Sequence, residues 1–354
     1  MWISATGLVC PVGLSALEAC TAMRAGVSIA SEVPYVGNDG ELIVGAAVSA
    51  LSFELPRSER VFSMLCRALV DCIVGGDEIR LESTPLMVLP QTAQVGACPE
   101  LEGTRVFAAL RDNMGWTFDV ANSQVFTQGA TGTAHAFAEA AKYMQKTGGD
   151  NCLIVAADSL LHARTLLKLE QQGRLKTVER SDGVIPGEAA ACVLVTRRQK
   201  RPYSPQVLGM GFATEVATVL NDVPFRADGL TAAARVALRE AGMTMADLDY
   251  RISDAAGESY AFREQSLLVT KLLRERKVDF ELWHPAEHVG DTGAAAGLVQ
   301  LAVISDAFRA GYAPGSRVIS CCSAASGERT AMILQGTSVS STEAVQLSTA
   351  RVAL

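Results

Sequence analysis

An α/β fold made of two similar halves is what this sequence predicts, and two observations carry it. Apolar runs of strand length alternate with small-residue stretches of helix length along most of the chain, the pattern of strands covered by helices. A weak internal repeat relates the halves. Gly129-Ala-Thr-Gly-Thr-Ala-His-Ala136 precedes an Ala-rich helix, a glycine and an apolar strand. Gly290-Asp-Thr-Gly-Ala-Ala-Ala-Gly297 precedes a second Ala-rich helix, then Gly311 and the apolar run Arg317–Cys321. Small residues on both helices permit close approach, so the two are predicted to pack on each other. No Gly-x-Gly-x-x-Gly follows a strand, which argues against a dinucleotide-binding fold.

The elements follow in order. Trp2–Val9 is the first strand. Ser15 caps a helix to about Ala25, with Glu18 three residues on as its capping-box partner. Glu59–Val74 is helical, and Thr84–Leu89, short and apolar, is a buried strand. Thr104–Gly115 is a helix. Strand Ser123–Thr127, helix Thr131–Lys146 and strands Cys152–Ala156 and Ala189–Val195 complete the first half. The basic run Arg197-Arg-Gln-Lys-Arg-Pro202 breaks the composition and marks the join between residues 1–200 and 201–335. It reads as a solvated linker before it reads as a nucleic-acid patch. The second half gives strand Val207–Ala213, helix Asp228–Ala241, strand Leu248–Ser253, helix Ser259–Arg276 and the segment Val278–Trp283. Helix Gly293–Ala310 and strands Arg317–Cys321 and Thr330–Leu334 follow. Residues 336–354 form a Ser/Thr-rich tail, either mobile or docked.

Composition sets bounds. The chain has 354 residues, enough for a large core shared by two halves. Hydrophobic residues make up 49% and aromatic residues only 6%, which suits buried strands packed tightly on helices. A net charge of −7 argues against nucleic acid or an anionic membrane as partner. No apolar run approaches the ~20 residues of a spanning helix. The N-terminus has no basic region and reads as a strand, not a signal peptide. Nine cysteines stand at positions 10, 20, 66, 72, 98, 152, 192, 321 and 322, mostly among apolar neighbours. They form no Cys-x-x-Cys pair and no Cys/His cluster at zinc spacing, so no metal, no cofactor and no disulfide framework is expected. A reducing, bacterial-type cytoplasm fits that usage.

Five stretches carry a further signal: Ile3-Ser-Ala-Thr-Gly-Leu-Val-Cys-Pro-Val-Gly13, Gln124-Val-Phe-Thr-Gln-Gly-Ala-Thr-Gly132, Ser181-Asp-Gly-Val-Ile-Pro-Gly-Glu-Ala-Ala-Ala191, Asp254-Ala-Ala-Gly-Glu-Ser-Tyr260 and Ala286-Glu-His-Val-Gly-Asp-Thr-Gly-Ala-Ala-Ala-Gly297. Together they resemble the motifs of β-ketoacyl synthases, of the thiolase-like superfamily, across roughly residues 1–335. The resemblance implies a thiolase fold, two similar halves in a five-layered α-β-α-β-α arrangement. It also implies a dimer formed through the strand before the glycine turn, about Ser123–Thr127.

The reactive positions of that family are altered here. Its acyl-carrying cysteine lies in Thr-Ala-Cys-Ala/Thr-Thr/Ser-Gly. Anchoring on Ala130-Thr131-Gly132 puts Gly129 in its place, and anchoring on Ala140 and Ala141 puts Ala130 there. The family's Asn-Ala-His-Gly-Thr-Ser-Thr matches Asp254–Tyr260, with Ala256 for histidine. Its Lys-Ser-x-x-Gly-His-x-x-Gly-Ala-Ala-Gly matches 286–297, with Ala286 for lysine and Asp291 for the second histidine. Ser181–Ala191 is similar to Arg-Asp-Gly-Phe-Val-x-Gly-Glu-Gly-Ala and is undamaged. There Gly183 and Gly187 give tight turns, Asp182 and Glu188 serve as hydrogen-bond and ion-pair partners, and Val184 stands for a gating phenylalanine. Ser320-Cys-Cys-Ser-Ala-Ala-Ser-Gly-Glu-Arg329 keeps only Gly327 of the C-terminal Asn-Ser-Phe-Gly-Phe-Gly-Gly-Thr-Asn.

These losses remove the family's chemistry. A cysteine at a helix N-terminus is a lowered-pKa nucleophile, and two histidines stabilise the charge that develops on decarboxylation. Gly129 or Ala130 cannot attack, Ala256 donates nothing, and Asp291 brings negative charge where negative charge forms. Candidates for rescue are Gln128, read foremost as a buried amide capping the turn; His288 beside Glu287, paired with Asp291; and Cys322 in the Cys321-Cys322 pair. His135 reads as a packed or surface residue.

Three functions are weighed. The first is a non-catalytic binding protein whose partner is a homologous catalytic subunit, as with polyketide chain-length factors, or an unrelated client. Its length and lost triad are similar to thiolase-like accessory proteins of type VI secretion effector loci. The second is a divergent acyltransferase or 3-oxoacyl synthase using acyl-CoA or acyl carrier protein. The third is an acyl or lipid sensor without chemistry. An exposed apolar patch at the old tunnel mouth is expected under the first.

Overall fold

The computed structural model describes residues 1–76, 78–90 and 101–338. The first half supplies strands β1 (Trp2–Val9), β4 (Leu86–Pro90), β5 (Gln124–Val125), β6 (Asn151–Ser159) and β7 (Glu188–Thr196). The second supplies β8 (Gln206–Thr214), β9 (Tyr250–Ser253), β10 (Leu282–Trp283), β11 (Arg317–Ser323) and β12 (Glu328–Gln335). They run β10-β9-β11-β12-β8-β1-β7-β6-β4-β5. The halves meet where Trp2 stands opposite Gln206.

Each half has the same plan. Its first strand pairs antiparallel with its last (β1 with β7, β8 with β12), and the last pairs antiparallel with the strand before it (β6, β11). That strand runs parallel to β4 or β9, which in turn runs parallel to the short edge strand β5 or β10. The repeat read at Gly129 and Gly290 is therefore a repeat of topology. Its two helices, α4 (Gly132–Thr147) and α9 (Ala296–Ala310), lie between the two half-sheets and touch each other. On the outer faces α2 (Arg57–Gly75) and α3 (Arg105–Met114) cover the first half-sheet, and α6 (Asp228–Ala241) and α7 (Ser259–Leu272) the second. Five layers, α-β-α-β-α, result.

Local sequence explains the layers. β7 is buried along its whole length, Glu-Ala-Ala-Ala-Cys-Val-Leu-Val-Thr, the near-continuous apolar reading of a strand covered on both faces. α9 is apolar on almost every side because it is surrounded by both half-sheets. The outer helices sit directly on glycine backbone. A Cβ at Gly7 of β1 would overlap the Ala68 carbonyl oxygen of α2, and a Cβ at Gly211 of β8 would overlap the Ala233 carbonyl oxygen of α6. The symmetry-related first strands thus use the same device to seat the symmetry-related outer helices.

Some local expectations need correction. Residues 28–56 and 160–175 carry elements the hydrophobic pattern did not reveal. These are the hairpin β2 (Ser31–Val36) and β3 (Leu42–Gly45), and helix α5 (Ala163–Gln171). The predicted strand Ser123–Thr127 shortens to β5, and Val278–Trp283 to β10, since each is an edge with one pairing neighbour. Ala286–Val289 is a one-turn helix, α8. Ser15 does cap α1 (Ala16–Arg24) by accepting from the Glu18 N–H, but the Glu18 carboxylate reaches back one residue further, to Leu14 N–H. The eight cysteines among the described residues are free. Cys98 and all but the first three residues of the 336–354 tail lie outside the described residues.

Gly211→Ala is expected to lower unfolding free energy by roughly 1–3 kcal/mol, the cost of overpacking a site where backbone meets backbone. Gly115→Ala, in open space but at φ +66°, gives the cost of left-handed strain without overlap. A Gly211→Ala loss below about 1 kcal/mol in urea denaturation would show that the backbone contact at Gly211 is not tight.

Candidate functional site

The strands of both halves that point at the α4/α9 layer end around one cavity of about 610 Å³. Its wall is assembled from chain segments far apart in sequence. The C-terminal end of β6 gives Asp158, and the loop after β9 gives Asp254 and Ala256. The end of β11 gives Ser323. The tight turns ahead of α4 and α9 contribute Gly129 and Ala130, and Gly293 and Ala294. Ligand crevices at the carboxyl ends of strands are a general property of layered α/β folds. Gly129 turns the chain with φ +65°, a conformation that favours glycine.

The positions singled out from sequence fall as follows. Gly129, Ala130, Ala256 and Asp291 all border this cavity, although they span some 160 residues of chain. Ala286 borders a much smaller recess that shares Asp254 and Asp291 with it. Gln128 also borders the cavity, but its side chain is exposed, so the expectation of a buried capping amide is corrected. Only its carbonyl takes part locally, accepting from the Thr131 hydroxyl. His288 does not reach the cavity. Its Nδ1 lies 2.9 Å from the Val27 carbonyl and its Nε2 3.5 Å from Glu287, so the His288/Asp291 pair is not made. Cys322 is buried beside Gln300, whose amide donates to its sulfur, and burial pushes its thiol well up. Neither it nor Cys321 borders the cavity. His135 packs against Phe212 and lies 2.6 Å from Glu328, which also accepts from Thr131.

The 181–191 stretch forms the frame beside the cavity. Glu188 is fully buried and accepts from Val48 N–H, the Ser159 hydroxyl and the Arg60 guanidinium. Asp182 accepts from Ser259 N–H at the start of α7, tying the halves together. A Cβ at Gly187 would overlap the Val289 carbonyl, and one at Gly183 would crowd the Lys176 amide. Val184 borders the cavity.

Sequence reading missed most of what gives the cavity its character. Five carboxylates border it: Asp158, Asp254, Glu258, Glu264 and Asp291. Glu258 is held by Arg174 through two bonds of 2.7 Å, and Glu264 by the buried Arg329 at 2.7 Å. Asp158 meets Arg57 at 3.3 Å and accepts from Ala294 N–H. Asp254 accepts from Ser323 N–H and Asp291 from Gly293 N–H, and neither has a side-chain cation within ion-pair distance among the described residues. Burial pushes the Asp254 carboxyl up to about 7, and the Asp291 and Glu264 charges reinforce it against the Ser323 hydrogen bond. Burial likewise raises Asp158 to about 6, against the pull of Arg57, and raises Asp291. Asp158 was legible in principle, as a polar residue closing the apolar run Cys152–Ala157. None of the described cysteines or histidines borders the cavity. No group of three or more potential metal ligands occurs among the described residues.

No protein-family model matches the chain, and no curated protein matches it. Solved structures do. A type II polyketide acyl-carrier protein in complex with its ketosynthase aligns with TM-score 0.80 at 12% identity, over 95% of this chain and 99% of that one. The ishigamide ketosynthase/chain length factor aligns with TM-score 0.73 at 16% identity, over 95% and 98%. A β-ketoacyl synthase from Burkholderia phymatum gives TM-score 0.71 at 15% identity, over 95% and 99%. The chain has the thiolase-like fold of the ketosynthases.

Asp254 binds its proton more tightly in the folded state than in the unfolded chain, where a carboxyl titrates near roughly 4. The folded state therefore holds the extra proton between those values, and stability falls as pH rises through about 4 to about 7. Asp254→Asn is expected to shrink the drop in unfolding temperature between pH 5 and pH 8. An unchanged drop would mean that Asp254 is not raised.

Proposed function

We propose that this protein works by binding a protein partner and has given up the acyl transfer of the fold it shares. The observation that carries this reading is the composition of the cavity wall. Where the ketosynthase motifs place a thiol and two imidazoles, Gly129 or Ala130, Ala256 and Asp291 stand around one cavity. An aspartate there opposes the developing negative charge that such chemistry must stabilise. Of the cations on the wall, Arg174 and Arg329 are committed to Glu258 and Glu264, and Lys168 borders the cavity as well.

A surface for the partner lies at the cavity mouth. Phe212, Val216, Leu220 and Val223 are exposed apolar residues within one stretch, and Leu220 also borders the cavity. The structural neighbours include a ketosynthase with its carrier protein and a ketosynthase/chain length factor, and those assemblies support partner binding as a use of this fold. We favour a cytoplasmic adaptor for a client protein, of the kind found with secreted effectors, built on a homodimer. The edge of β5, with Gln124 exposed, supplies a strand for that dimer. The surviving cavity favours a second reading, an acyl-binding sensor or a divergent acyltransferase with Gln128 at its turn.

Intact-protein mass spectrometry after incubation with acyl-CoAs and a cysteine-directed probe is expected to show no acyl adduct, with no release of free CoA. A stable adduct or steady release would overturn the reading. Light scattering at micromolar concentration is expected to give twice the chain mass, and a monomer would remove the homodimer. Val216→Asp with Leu220→Asp is expected to leave the unfolding temperature unchanged and to weaken partner capture at least tenfold, as for residues at an interface centre.

A further inference from the structure

We propose that the outer face of the β2–β3 hairpin is a docking surface for a basic amphipathic helix of a partner protein. The surface lies in the first half and shares no residue with the 212–223 stretch at the cavity mouth.

The first observation is where exposed apolar side chains gather. Of the sixteen large hydrophobic residues that are exposed among the described residues, six fall between Val27 and Leu55. Scattered singly, such residues are ordinary surface. On the hairpin they are not scattered. In β2, Val33 is buried and Tyr35 half-buried, whereas Glu32, Pro34 and Val36 are exposed. In β3, Ile43 and Gly45 are buried, whereas Leu42 and Val44 are exposed. Alternate residues of a strand share a face, so the exposed set forms one outer surface. Val36 stands directly opposite Leu42, and Val44 stands opposite Glu32. Residues paired in this way across two strands are close enough for their side chains to touch.

The second observation is that the inner face is already used. Val33 and Ile43 pack with Leu166 and Leu169 of α5, and the Tyr35 hydroxyl donates to the Leu161 carbonyl. The hairpin is thus a thin layer with a helix on one side and an open apolar face on the other. The layer that completes such a sheet is a second helix. An added strand fits less well, because Pro34 removes a donor from β2.

The third observation is charge. Between Val27 and Leu55 the chain carries Glu32, Asp39, Glu41 and Glu54 and no lysine or arginine. Glu32, Asp39 and Glu41 are exposed on the hairpin itself. The flanking cations are committed elsewhere, Arg24 over the Tyr312 ring and Arg57 to Asp158. α5, which carries Arg164 and Lys168, lies on the buried side. An apolar centre with an acidic rim fits a partner whose apolar stripe is flanked by lysine or arginine. It disfavours a second copy of this chain, whose acidic rim would meet the first, and it disfavours nucleic acid or an anionic lipid surface.

The test is fluorescence anisotropy on the full chain in about 150 mM salt, which screens long-range attraction to an acidic protein. The probe is a labelled peptide of about 18 residues, long enough to form a helix, with leucines along one face and lysines along the other. It is expected to bind saturably, and a twin with glutamate in place of lysine to bind at least roughly tenfold more weakly. Val36→Glu/Leu42→Glu is expected to weaken binding of the lysine peptide roughly tenfold, as at an interface centre, although it adds negative charge. Non-specific attraction would strengthen instead, so equal or tighter binding by that variant would overturn the proposal. Val36→Thr/Leu42→Thr keeps strand propensity and is expected to weaken binding as well, which covers the case of a glutamate variant that fails to fold. Glu32→Gln/Glu41→Gln is expected to weaken binding roughly threefold. Val216→Asp/Leu220→Asp is expected to leave peptide binding unchanged, which keeps this test separate from that of the cavity mouth. Loss of binding in that variant alone would overturn the proposal, as would no saturable binding of the lysine peptide up to millimolar concentration. A fall in mass by light scattering for Val36→Glu/Leu42→Glu would make the face a contact between copies of this chain and overturn it too.

Discussion

The buried carboxylate of Glu188 is the constraint on which much of the architecture rests. It sits at the start of the fully buried β7 and is closed off from solvent. Its oxygens gather the segment entering α2 through Val48, the helix itself through Arg60, and the end of β6 through Ser159. A carboxylate in that position is tolerable only while every partner holds, since removing one strands a charge in a low-dielectric interior. The arrangement also fixes Asp158, the neighbour of Ser159, and with it the floor of the cavity. Arg57, one turn before Arg60 on α2, completes the link by reaching Asp158.

Around that frame the two halves are built alike, and five carboxylates border the cavity they form. Gly183 and Gly187 keep the backbone contacts that place the 181–191 stretch against the second half, and Asp182 anchors α7. These contacts hold the cavity's frame in place around an acidic wall. Electrostatics decides the consequence: carboxylates that flank one another stay partly protonated or recruit cations.

The fold was largely legible in the sequence because periodicity, capping and the Gly129/Gly290 repeat all report on local chain and burial. Helix α6 begins and ends where the pattern placed it, and the repeat anticipated the packing of α4 on α9. What escaped was set by tertiary context. The β2–β3 hairpin has exposed Val36, Leu42 and Val44 and so lacks a clean alternation. Of the site, the altered positions could be lined up from motifs, but their cargo of carboxylates could not. Asp158 lies in β6, Glu264 in α7 and Glu258 just before that helix, and only folding shows which carry arginine partners and which residues are left without them. Gln128 went the other way: a residue beside a buried glycine turn was read as buried, yet it is exposed at the cavity.

The left-handed backbone at Gly129 also limits which side chains the wall of the cavity can carry there. A cysteine introduced at Gly129 would place its side chain in a conformation that non-glycine residues adopt at a cost of about 1–3 kcal/mol. The new thiol would then sit among carboxylates that disfavour its ionisation, with no imidazole beside it. A side chain at Gly129 would therefore lower stability before it raised any rate, and the turn favours glycine over a nucleophile at this point of the wall.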